Sequence, residues 1–502
     1  MLGLQQWLFV ILAFVTASPS MGAEALEQAV EQRLQSIRAD PNELRAFFHD
    51  MPKGGDLGLK FLAADYAENL IEVAASKDLC FNPDTRTLSQ PPCGAPALPL
   101  KHLKREPDLY RSLVRAWSLF DFDGNCHALR AHIQGIPKMI RQINPDHATL
   151  LTNLRKRAAR ENLTYLEIAV GWPNARRLAH SFQHSWKNME EAWKALPNKE
   201  FQTQCREMNG FLTQCLKRSN EQLNKSDIAE NSRVEVRFLC VIPRNLVIHE
   251  FWAEAALAFA VAAENPKVVG VSLAGSEEDV LSFSGFDQQM KILAFLALRF
   301  PAVRRSYNAG ELVAGRVPPD HLGTHIRQTF ELAKAQRIGD GADISYATDM
   351  HDLLADLADN RVAVEVALTG DQKLLGLAGS AHPLPLYHRN RVPVVLITRE
   401  PGIYRTDLTD QYVQAATRYP RLKYTDFKTM ARNSLEYSFM EGKSLWEDGD
   451  YRTRTRQCVD TNSQTFRAYL KKNQRAIVQW RLEQAFFDFE SRQQQRFQNT
   501  DQ

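Results

Sequence analysis

Short apolar, β-branched runs recur along this chain at wide intervals, and each is followed by sequence with a helical, amphipathic rhythm. The runs fall at 56–62, 163–170, 234–242, 268–274, 304–311, 337–344, 362–369 and 392–398. Between them stand patterns such as HLGTHIRQTFELAKAQ and DLLADLADNR, which suit helices with one apolar face. Continuous runs such as VPVVLIT suit strands covered on both faces, as in a parallel sheet flanked by helices. Eight such strands alternating with helices predict an α/β fold of the (β/α)8 barrel type.

The remaining segments break that rhythm in recognisable ways. Residues 1–22 hold an apolar core, WLFVILAFVTA, too short to span a bilayer and suited to a cleaved secretory signal. The small residues Ser20-Met21-Gly22 offer a cleavage site, and Val15-Thr16-Ala17 is a rival. Export to the periplasm or the outside follows as an expectation. With the signal removed, no other apolar run is long enough to anchor in a membrane. Residues 23–50 read as a helical arm, and 171–225 as a polar helical insertion between the second and third strands. The barrel is expected over 51–464, with 465–502 as a closing helix and a frayed, Gln-rich tail.

Composition narrows the picture modestly. The 502 residues, 44% hydrophobic and 24% charged, are those of a globular protein with a large core. Sixty-two basic against 59 acidic residues leave a formal charge of +3, which provides no basic field for nucleic acid. Seven cysteines are too few for a disulfide-built scaffold, although an exported chain can still pair some. Cys80 and Cys93, flanking a Pro-rich loop, are the first candidate pair, and Cys205 with Cys215 the second. Cys126 and Cys240 are the candidates for an unpaired thiol.

Several longer motifs are more specific than any of these patterns. They are MPKGGDL, YNAGEL, QRIGDGADI, AHPLPLY, VPVVLITREPG, LT-x-x-Y and ARNSLEYSFMEGKSLW. With them, nearly the whole chain after residue 50 resembles the adenosine deaminase family of metal-dependent hydrolases, in its secreted, growth-factor-related branch. The resemblance implies a barrel whose strand ends hold one zinc ion and a purine nucleoside. It also implies dimerisation through the N-terminal arm.

At the positions where the family binds zinc, this chain departs from the pattern. The family has two histidines on the first strand, where Gly58 and Lys60 stand here. It has a histidine on the fifth, where Asn308 stands, and an aspartate on the eighth, where Arg399 and Glu400 take the Asp-Asp pair's places. Asp340 replaces the histidine that polarises the attacking water. Glycine offers no donor atom, lysine and arginine are cations without a lone pair at neutral pH, and asparagine is a poor zinc ligand. The expectation is therefore no metal and no cofactor. An oxygen-only magnesium or calcium site from Asn308, Glu311, Asp340 and Glu400 is the lesser alternative.

Of the family's chemistry, Glu311 is retained at the position of the glutamate that moves a proton to the purine ring. Gly275 matches a glycine whose backbone meets the purine. Lys60 and Arg399 against Glu311, Asp340 and Glu400 predict an ion-paired cluster in place of the metal. The favoured function is an exported pseudoenzyme that retains binding of a purine nucleoside or another small ligand. The alternative is an active purine nucleoside deaminase, or another hydrolase built on Glu311 with Asp340 as an acid–base pair. His180 and His184 have helical metal-binding spacing but read more simply as a solvated face. His127 falls near the family's active-site rim. His382-Pro383 reads as structural, and Thr369-Gly370-Asp371 as a changed polar rim.

Overall fold

A computed structural model describes residues 19–122, 126–172, 178, 188–196, 198–225 and 234–500. Residues 1–18, most of the expected signal segment, lie outside them, as do His180 and His184. The side chains of Cys126 and His127 also fall outside the description.

Eight parallel strands form one sheet in chain order: β1 (Gly54–Lys60), β2 (Leu163–Val170), β3 (Glu235–Pro243), β4 (Val268–Ala274), β5 (Arg304–Ala309), β6 (Arg337–Asp340), β7 (Ala363–Val366) and β8 (Val394–Leu396). Each pairs in parallel with its successor. The ends meet where Lys60 N donates to Arg399 O at 2.8 Å, and where Asp56 on β1 accepts from Thr398 N at 3.1 Å. These contacts draw β8 back to β1 and bring the sheet round to a barrel, as the alternation of apolar runs predicts. The last four strands are shorter than their apolar runs. Residues such as Glu311 and Gly341–Ile344 leave the ladder and turn into the loops above it.

The barrel interior carries a buried polar layer beneath the mouth. Arg337 of β6 bridges Glu167 of β2 and Glu365 of β7, and its Cζ lies 3.8 Å from the centroid of the Phe439 ring. Ser306 of β5 donates to the same Glu365 at 3.0 Å. All four polar side chains are buried, so each charge depends on the others for compensation.

The arm folds as two helices, α1 (Pro19–Ile37) and α2 (Pro41–Asp50). Asp40 caps α2 by accepting from Asn42 N at 2.8 Å and Glu43 N at 3.1 Å, with Pro41 at the first helical position. The fully buried Lys53 amine satisfies the other end, donating to Phe48 O at 2.6 Å and Met51 O at 2.8 Å. Val30, Leu34, Phe47 and Phe48 are buried, and α1 packs against later helices of the same chain. A dimer built on this arm would therefore use its outer, polar side.

Across the mouth lies α3 (Cys126–Ile143). The insertion after β2 contains the helix Met189–Ala195 and then α4 (Lys199–Asn224), which packs outside the barrel as expected. The chain closes with α5 (Tyr424–Glu436) and α6 (Gln474–Thr500). Lys428 of α5 reaches Glu27 of α1 at 2.7 Å and Glu490 of α6 at 2.6 Å. The C-terminal segment continues as helix through Thr500, where a frayed tail was expected.

The cysteines meet one expectation and correct another. Cys80 and Cys93 form the disulfide, around an unforeseen three-stranded sheet of Cys80–Asn82, Thr87–Ser89 and Leu98–Pro99. Cys205 and Cys215 are free, which corrects the second expected pair. Both lie on α4, and ten residues of helix separate them by about 15 Å, far beyond disulfide reach. Cys240 is a free, buried thiol.

Candidate functional site

Side chains at the C-terminal strand ends of a parallel barrel point into one mouth, because every strand runs the same way. Here that mouth is a cavity of about 860 Å³. Its floor is polar, with Lys60, Asn308, Glu311, Arg399 and Glu400, while much of its wall is aromatic or aliphatic. Phe61, His147, Trp172 and Phe211 line one side, with ring centroids 5.0 to 5.8 Å apart in successive contacts. Burial lowers the pKa of His147, which favours the neutral ring against those neighbours.

The structure brings the sequence-expected residues together as ion pairs. Lys60, at the end of β1, donates to Glu400 at 2.6 Å. Arg399, just past β8, donates to Asp340 at the end of β6. Asp340 at φ 73° and Arg399 at φ 61° both hold left-handed backbone, which non-glycine residues rarely adopt. The paired groups are thus held in conformations that need surrounding support. Burial works against the charge on Arg399, but Asp340, Glu311 and Asp371 outweigh it and raise its pKa. Burial likewise pushes Glu400 up, but Lys60 and Arg399 hold it below the ordinary carboxylate value.

Glu311 stands apart from these pairs. It is buried on the loop after β5, and its carboxyl has no hydrogen-bond partner among the described residues. Burial pushes that carboxyl above its ordinary value, against the pull of Arg399, Arg130 and Lys60. Gly275, with φ 116°, lines the cavity, and a Cβ there would stand 3.1 Å from Arg244 Cγ.

A second constellation fixes the backbone of Glu311, and sequence reasoning missed it. Glu277 accepts from Glu311 N at 2.7 Å and from Gly310 N at 3.2 Å. Its carboxylate also lies 2.7 Å from His325 Nδ1, and 3.2 Å from Arg244 Nη1 as an ion contact. Burial alone would raise the Glu277 pKa, but Arg244 and His325 draw it down to about 2. The three residues are spread over 81 positions of chain, so no local spacing announces them. Arg130 of α3 also reaches the mouth, donating to Ser276 Oγ at 2.8 Å and Glu278 at 3.1 Å. At the far rim, His382 pairs with Asp371 at 2.9 Å and accepts from Leu384 N, in the structural role expected of it.

The donor set at the family's ligand positions does not fit a zinc ion. Lys60 and Arg399 bring positive charge and no lone pair. Gly58 has φ 69°, and Glu365 Oε2 lies 3.2 Å from where its Cβ would stand. That carboxylate is already held by Arg337 and Ser306. For an oxygen-only site, Asp340 and Glu400 are each engaged by a cation rather than free to bind one. Among the described residues no three His, Cys, Asp or Glu side chains gather as a metal centre would require.

Comparison with known proteins bears on the fold and the family. The family model for adenosine deaminase matches residues 202–446. An aminodeoxyfutalosine deaminase of Streptomyces coelicolor is 34% identical over 109 residues, 22% of this chain and 27% of that protein. An adenosine deaminase of Clostridium perfringens is 27% identical over 173 residues, 34% of this chain and 47% of that one. The chain thus spans about half, or less, of the curated relatives it matches. Among solved structures, Arabidopsis ADAL complexed with GMP superposes with a TM-score of 0.50 at 16% identity, covering 78% of this chain and 94% of that one. ADAL complexed with IMP gives a TM-score of 0.50 at 16% identity, covering 78% and 93%. With the strand-end motifs and the eight-stranded barrel in hand, the match over residues 202–446 makes this chain similar to the adenosine deaminase family.

Proposed function

We propose that this protein is an exported, catalytically inactive member of the family, of its growth-factor-related branch. On this reading it binds a purine nucleoside or a similarly flat small ligand in the barrel mouth. The observation that carries the reading is the pair of ion contacts Lys60–Glu400 and Arg399–Asp340 at the strand ends. A hydrolase of this family relies on a metal to lower the pKa of bound water from about 15.7 to about 7. Fixed cations at the ligand positions repel such an ion and generate no hydroxide of their own.

Binding is supported separately, by the aromatic wall and polar floor of the 860 Å³ cavity, a form suited to a flat, partly polar ligand. The same fold holds GMP and IMP in Arabidopsis ADAL. The rival reading uses Glu311 and Asp340 as an acid–base pair, and it needs a free Asp340. That carboxyl is bound to Arg399.

The test is to incubate purified protein with adenosine, follow its conversion, and measure bound metal in the same sample. The expected result is no adenosine loss and far less than one zinc per chain. Stoichiometric zinc accompanied by turnover would overturn the reading.

A further inference from the structure

The polarity of the hydrogen-bonding groups on the cavity floor selects among flat ligands. Lys60 and Arg399 are donors with no accepting atom. The Lys60 amine has three N–H groups and, among the described residues, one hydrogen-bond partner, Glu400 at 2.6 Å. Arg399 gives Nη1 to Asp340, and its Nη2 is buried with no hydrogen-bond partner among the described residues. Both residues line the cavity, and both act electrostatically on Glu311, which lines it too. Glu311 offers an accepting carboxyl oxygen in either protonation state. Its position is set from behind by the main-chain bond to Glu277. The floor therefore presents unused donors beside an acceptor.

A ligand that completes this pattern carries an accepting oxygen next to an N–H donor. The two purine types differ in this respect. A 6-oxopurine has a carbonyl at C6 and an N–H at N1. A 6-aminopurine reverses both, with an amino donor at C6 and an accepting nitrogen at N1. We infer that the cavity discriminates by hydrogen-bond polarity and takes 6-oxopurine ribosides in preference to adenosine. The C6 oxygen meets the Lys60 ammonium, and the N1 proton meets Glu311. An adenosine amino group would face the Lys60 ammonium with nothing to accept its protons, leaving donors unpaired on both sides. This inference rests on the proposal that the mouth binds a purine, and goes beyond it by naming the class.

The experiment is isothermal titration of the purified full chain with inosine, guanosine and adenosine. Inosine and guanosine are expected to bind at least about tenfold tighter than adenosine, since a site built to pair a polar edge rejects its reversed analogue strongly. In Lys60→Met, inosine binding is expected to weaken about tenfold while adenosine binding changes little. Should that variant fail to fold, shown by its far-UV circular dichroism, the ligand ratio of the unmodified chain decides alone. Adenosine binding as tightly as inosine, or tighter, overturns the discrimination and leaves purine binding standing. Absence of binding by all three ribosides removes both at once.

Discussion

Glu277 shows how one side chain can govern a site without lining it. Its carboxylate holds the backbone of Gly310 and Glu311 from below while Arg244 and His325 compensate its charge. The folded pKa of about 2 lies below the ordinary glutamate value near 4.3. Since the folded value is depressed, this group's stabilisation is present above about pH 4.3 and is lost as pH falls toward 2. Glu277→Gln keeps an accepting oxygen but removes the charge that balances a fully buried Arg244. That loss is expected to cost about 3 kcal/mol at pH 7, and the gap between variant and parent should narrow on acidification. Urea unfolding between pH 2.5 and 7 measures it. A pH-independent gap would separate the effect from the carboxylate's charge.

At the scale of elements, the strands do two jobs along their lengths. Their lower halves carry the Glu167–Arg337–Glu365 layer, and their upper ends carry the mouth. Arg337→Met removes the cation that bridges Glu167 and Glu365 and leaves the two carboxylates facing each other without its charge. The expected cost is about 3–5 kcal/mol, read as a lower denaturant midpoint. A change below about 1 kcal/mol would mean that water or another group already compensates them. The helices α1 and α2 belong to the same logic. Lys428, Glu27 and Glu490 tie the arm to the closing helices, so the arm behaves as part of the barrel's wall rather than as a free extension.

For the molecule as a whole, the proposal that side-chain cations stand where the family holds a metal has a thermodynamic consequence. A ligand that binds only the folded state stabilises it by RT ln(1 + [L]/Kd), about 2.7 kcal/mol at a hundredfold excess over Kd. Thermal unfolding of this chain is expected to be unmoved by added zinc or by a chelator. A zinc-dependent rise in midpoint that the chelator reverses would show a metal site in the folded protein.

Much of this was legible in the linear order of residues. Strands buried on both faces leave continuous apolar runs, so all eight could be placed before any coordinates, and the long strand-end motifs carried the family. The charge of Lys60 and Arg399 is a property of residue type, so their unsuitability as zinc ligands was also decided locally. Long-range proximity was not. Glu277 with His325 and Arg244, the Phe61–His147–Phe211 wall, and Arg337 between strands two and seven are partnerships across tens or hundreds of residues. Only closure of the barrel makes them neighbours. The reverse failure has the same root: Cys205 and Cys215 are close in sequence, yet a rigid helix holds them about 15 Å apart. Amino-acid order determined the elements and the chemistry available at each strand end, because periodicity and donor type are local. The folded chain alone decided which charges met, because pairing depends on distances that the sheet sets when it curls round on itself.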